Sequence, residues 1–160
     1  MYGRGSLLTL GKNEKTDPYQ LQRFIDAQDY DYEIALSELN NGKKLSHWIW
    51  YIFPQVFGLG SSSMSQDYSI RSRAEALAYL SHEVLGARLI DCASALLPHK
   101  DKNIREIMDT PDDLKLKSSM TLFASIAPEV EVFQRILDIF YAGQRDPKTV
   151  LFLSNEKYRA

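Results

Sequence analysis

Lys115-Leu116-Lys117-Ser118-Ser119-Met120-Thr121 places two lysines and three hydroxyls on a short stretch of chain. Lys115, Ser118 and Ser119 stand at i, i+3 and i+4, so a helix would bring them to one face. Such a face suits a phosphate or a carboxylate. Serine and threonine are poor helix-interior residues, which asks what else these hydroxyls do. The plainer alternative is a solvated face, with Asp112 or Asp113 paired to Lys117 for about 0.3–0.5 kcal/mol.

Ser46 to Gln55 reads SHWIWYIFPQ. As a helix it is apolar almost all round and must be central. One reading makes it core, with His47 filling a hydrogen bond or a cap. The other makes it a pocket wall. Tryptophan faces stack on bases, sugars and cations, and histidine titrates near neutral pH. His47 is then the candidate acid/base, and Trp48, Trp50 and Gln55 line the ligand. Arg88 or Lys115 would stabilise an anion.

Gly58-Leu59-Gly60-Ser61-Ser62-Ser63 offers backbone amides and hydroxyls that could cradle an anion. An ordinary flexible turn explains it as well. No Gly-Lys-Ser/Thr follows, so it is not a P-loop, and the strand–turn–helix setting of a dinucleotide fingerprint is absent. His47, His82 and His99 are scattered, and no HExxH or CxxC exists, so the sequence points to no metal site. No Gly-x-Ser-x-Gly elbow favours a serine triad. It names no cofactor.

The elements that must position these residues read as helices. Asp17-Pro18 starts one, with Leu21, Phe24, Ile25 and Gln28 as its stripe. A second is expected over Tyr32–Leu39, stopped by Asn40-Asn41-Gly42. Ser46 caps a third over His47–Ile52, since Phe53 precedes a proline; so short an apolar run also reads as a buried strand, and its helical neighbours favour the helix. Gln55 to Tyr68 reads as a long loop, of the kind that tends to be functional or mobile. Ser72 and Glu75 form a capping box. Val84–Leu97 is helical up to Pro98, and Asn103–Met108 is a short helix. Thr110-Pro111, Pro128 and Asp146-Pro147 open three more. The expectation is an all-α, compact single-domain helical bundle of about eight short to medium helices over residues 17–160, preceded by a mobile tail over 1–16.

Length and composition agree with one domain: 160 residues, 44 % hydrophobic and 25 % charged. Nineteen basic residues against twenty-one acidic give a formal charge of −2, which argues against non-specific nucleic-acid binding. No run nears the roughly 20 apolar residues of a membrane span. Cys92 is the single cysteine, so no intrachain disulfide forms. Its apolar setting reads as packing, and the chain as reducing-compartment, cytoplasmic protein.

RFIDAQ, GKK-x-SHWIWYIFPQ-xx-GLG, EALAYLSHEVLGARL and PDDLKLKSSMTLF together resemble the Domain of Unknown Function 1810 family, over about Asp17 to Leu153. The resemblance implies a small all-α fold and brings no activity with it. It marks His47, Trp48, Trp50, Gln55, Gly58, Gly60, Arg88, Lys115, Ser118 and Ser119 among its signature positions. Packing alone does not demand that mixture of aromatics with polar groups. Three readings follow. The first is a pocket for a small anionic metabolite, such as a nucleotide, an ADP-ribose-like molecule or another phosphorylated compound. The second is a protein-interaction module with exposed aromatic anchors. The third is a signature that serves folding only. The ligand, the reaction and the oligomeric state are not legible.

Overall fold

The computed structural model describes residues 16–157. The tail expected over residues 1–16 therefore lies outside the described residues, apart from Thr16. The Asp17 carboxylate accepts the Leu21 and Gln22 amides at 2.8 and 3.1 Å, but the helix expected to open at Asp17-Pro18 begins only at Gln22, after a turn in which Gln20 takes φ +54. That helix, α1 (Gln22–Asn40), runs for 19 residues. It replaces the two helices expected there. Asp29 and Tyr30, which look like a break, simply face solvent on an unbroken helix.

The aromatic segment is shorter than expected. Only Ile49–Ile52 is helical (α2), because Ser46 is not free to cap. Its amide and hydroxyl are both held by the Glu38 carboxylate, at 3.0 and 2.6 Å. Phe53, before Pro54, ends the turn as predicted. The loop after it is partly ordered by α3 (Ser63–Asp67), a single turn capped by Ser62 Oγ on the Ser65 amide. A parallel bridge between Val56 and Ile70 ties its base.

The remaining helices are α4 (Arg73–Ser81), α5 (Glu83–Ser94), α6 (Ile104–Met108), α7 (Asp112–Ile126), α8 (Glu131–Tyr141) and α9 (Pro147–Lys157), with a 3₁₀ turn at Leu97–His99. Nine α-helices thus stand among the described residues, against about eight expected. The caps follow local chemistry. Ser72 Oγ accepts the Glu75 amide at 3.0 Å, but Glu75 reaches the Arg71 amide rather than that of Ser72. His82 Nδ1 accepts the Val84 and Leu85 amides. Asn103 and Glu106 form a full capping box.

The centre is α7, not the aromatic turn. Nine of its residues are buried, including Asp113, Ser118, Ser119 and Thr121, and it touches α2, α4, α6, α8 and α9. Trp48, Phe24, Tyr79 and Phe133 pack in the core with its own Phe123. Cys92, on α5, is buried, and that burial, helped by nearby Asp91, pushes its thiol up to about 12. It is a packing residue, as its setting predicts. Among the described residues no helix is long and apolar enough to cross a membrane.

Candidate functional site

Glu38 explains why the two tryptophans part company. The residue is buried on α1. Its carboxylate takes Trp48 Nε1–H at 2.9 Å and the Leu45 amide at 2.8 Å, besides Ser46. Burial alone would raise its pKa. The hydrogen bonds from Ser46, Leu45 and Trp48 outweigh it and hold the acid at about 2. Trp48 is therefore a core residue whose single donor is occupied. Trp50, two positions on, faces the other way. It is half-buried, its Nε1 is covered, and that donor has no hydrogen-bond partner among the described residues.

Trp50 meets Lys115 of α7, whose Nζ stands 5.3 Å from the indole centroid. The two residues line a recess of about 10 Å³ with Gln55, Ser65 and Tyr68. Gln55 and Lys115 also line a larger cavity of about 440 Å³ beside it. Three elements build that cavity. The 55–60 loop supplies Gln55, Leu59 and Gly60. The first turns of α7 supply Leu114, Lys115 and Ser118. The start of α9 supplies Asp146, Pro147 and Lys148.

Local chemistry holds each wall. Gly60 lets the loop lie against α3, since a Cβ there would come 2.5 Å from Ser65 Oγ. Ser118 Oγ donates back to the Leu114 carbonyl at 3.2 Å. Thr121 Oγ1 accepts the Asp146 amide at 2.9 Å and so pins the start of α9 beside α7. Asp146 in turn accepts the Thr149 amide and hydroxyl, at 2.9 and 2.6 Å, and caps α9.

Of the ten candidate residues, the structure brings Trp50, Gln55, Gly60, Lys115 and Ser118 to this one place. Gly58 lies on the same loop, exposed, at φ +96 and without close neighbours. Ser119 is fully buried behind the wall, and its hydroxyl has no partner among the described residues. The other three are elsewhere. Trp48 is bonded to Glu38. His47 is exposed on a separate depression of about 250 Å³ with Asp109 and Asp112, which shares only Pro111 with the cavity. Arg88 lies against α1, giving a hydrogen bond to Gln28 Oε1 at 3.3 Å, a 3.5 Å contact to Asp29 and a stack on Tyr32. The expected Lys117 ion pair is also absent. Asp112 pairs instead with buried Lys44 at 2.7 Å, and Asp113 accepts Thr110 Oγ1.

Sequence reasoning missed Ser65, Tyr68, Leu59, Leu114 and the Asp146–Lys148 corner. Asp146-Pro147 is readable as a helix start. Nothing local says that Thr121 would receive it. No cluster of three or more histidine, cysteine or acidic side chains able to hold a metal occurs among the described residues.

The family described as "Protein of unknown function (DUF1810)" matches residues 18–153. The chain belongs to that family. Its fold is also similar to the crystal structure of the conserved hypothetical protein Rv1873 from Mycobacterium tuberculosis, with a TM-score of 0.85 and 44 % identity over 86 % of this chain and 99 % of that one. A comparison with curated proteins finds no match. That likeness agrees with the all-α architecture.

Proposed function

We propose that the cavity between the 55–60 loop, α7 and α9 binds a small anionic molecule. The carrying observation is Lys115. Among the described residues it has no carboxylate partner, although it stands half-buried in a concave wall. Lys44, by contrast, is buried and neutralised by Asp112. A cation held on a wall without a counter-charge lowers the free energy of an incoming anion more than an exposed one does. Lys148 adds a second positive group at the rim, and Trp50 adds an aromatic face. The volume, about 440 Å³, is that of a small-molecule site.

The interaction-module reading has less support. Its anchors were to be exposed aromatics of the tryptophan segment; Trp48 is fully buried and Trp50 half-buried, and the exposed Tyr30 and Phe57 lie outside the Trp50–Lys115 site. His47 stands apart from Lys115, so the reading carries no catalytic step.

The test is a thermal-shift titration with nucleotides, sugar phosphates and carboxylates. A ligand at about 100 times its Kd adds roughly 2.7 kcal/mol, or about 5–10 °C in Tm for a domain of this size. The rise should disappear in Lys115→Ala. A rise that survives that change would remove the site from this cavity.

A further inference from the structure

Away from the cavity, one face of α1 is uncovered by any other described element. The helix buries Phe24, Gln28, Ala35, Glu38 and Leu39 and packs against α2 and α5. Its opposite side is open along a helix of about 28 Å. Two rows at i, i+4 spacing run side by side there. Asp26, Tyr30 and Ile34 form one, and Asp29, Glu33 and Ser37 the other, all exposed. Tyr30 is 88 % exposed and Ile34 46 %.

Folding does not account for that pattern. Between Arg23 and Lys43 the chain has five carboxylates and no lysine or arginine. Glu38 is buried and Asp31 accepts the Tyr51 hydroxyl, which leaves Asp26, Asp29 and Glu33 in solvent. Asp29 and Glu33 stand one turn apart, where like charges weaken a helix, and no lysine on α1 offsets them. Asp29 has a 3.5 Å contact with Arg88 of α5 and its side chain stays 60 % exposed. Glu33 has no ion-pair partner among the described residues. Local rules of this kind are broken where a surface serves something besides the fold.

Charge chooses the occupant. An acidic face repels nucleic acid and anionic membrane. A two-fold contact with a second copy would bring the same carboxylates against one another. Lysine and arginine side chains are attracted instead. Tyrosine is a favoured anchor of protein contacts, and the groove between two i±4 rows accepts the ridge of another helix. We propose that this face of α1 docks a basic amphipathic helix of a partner protein. Its apolar side chains would lie on Tyr30 and Ile34, and its lysines or arginines beside Asp26, Asp29 and Glu33.

The probe is a synthetic amphipathic helix of lysine and leucine, about 18 residues long. In a ¹H–¹⁵N titration the amide resonances of residues 26–37 should move saturably, and added salt should weaken the binding. Tyr30→Ala should weaken it about tenfold, and Glu33→Lys about threefold or more, with neither lowering Tm, since both side chains stand in solvent. A glutamate–leucine peptide of the same pattern should leave those resonances still. No movement up to about 1 mM peptide, movement centred on another face, or equal binding to Tyr30→Ala would overturn the proposal. Binding of the glutamate–leucine peptide would overturn it too. Movement of the same resonances with protein concentration alone would make a second copy the occupant and overturn the basic partner.

Discussion

One carboxylate organises the turn that carries the aromatic segment. Glu38 accepts from two amides, the Ser46 hydroxyl and Trp48 Nε1. Its pKa is held at about 2 against an ordinary 4.5. A depressed acid stabilises the fold fully above its unfolded pKa and loses that contribution as pH falls toward the folded one. Between about pH 4.5 and pH 2, stability should therefore drop by on the order of 3 kcal/mol from this group alone. Denaturant titrations of wild type and Glu38→Gln across that range would check it, since the variant should lose this part of the slope. Equal slopes would mean that Glu38 does not ionise in this way. At the same scale, the sequence drew attention to the right residues unevenly. Lys115 and Ser118 were visible because a paired basic and hydroxyl face is odd on a helix. Arg88 looked equally available, and its real partners, Gln28 and Asp29, sit 60 and 59 positions away, where no local pattern reaches.

Helices were more legible than sites, because caps and stops are local. Ser72, Asn103 and Asp146 all act at the ends their positions suggest, whereas the helix expected from Asp17-Pro18 starts only at Gln22. The failures have local causes too. Ser46 was competed away by Glu38, and no proline or glycine stands between Gln28 and Tyr32 to break the helix there. Position 86 was a glycine without a visible reason. In the structure α4 and α5 meet there so closely that a Cβ would lie 2.0 Å from the Leu80 carbonyl oxygen. Gly86→Ala should thus destabilise by about 1–3 kcal/mol, although alanine is the better helix former. Equilibrium unfolding would measure it. A neutral or stabilising result would mean that α4 shifts without strain.

At the scale of the molecule, the cavity is a seam rather than a hole in the core. The net charge of −2 offers anions no long-range attraction, so any affinity must come from the local field of Lys115 and Lys148. Arg23 ties the loop side of the seam to the rest. Its guanidinium donates to the Asp67 and Ser69 carbonyls, 44 and 46 positions away, and to the Glu75 carboxylate, 52 positions away. It also donates to the Tyr19 and Gln20 carbonyls beside it. Contacts of that span require α1 and α4 to have met first, because the intervening chain must be closed before they form. We predict that Arg23→Met mainly speeds unfolding and leaves the folding arm of a denaturant chevron nearly unchanged. A slowed folding arm would place the clamp in the nucleus instead.

The order of assembly then has a consequence for the site. The 55–70 segment is bracketed by the Val56–Ile70 bridge and held by Arg23, yet Gly58 at its tip has open space around it. With the Arg23 clamp forming late, as predicted above, it is among the last parts to close and the first to open. A ligand seated against it acts as a late staple: it slows the earliest step of unfolding while the path by which the core first collapses stays the same.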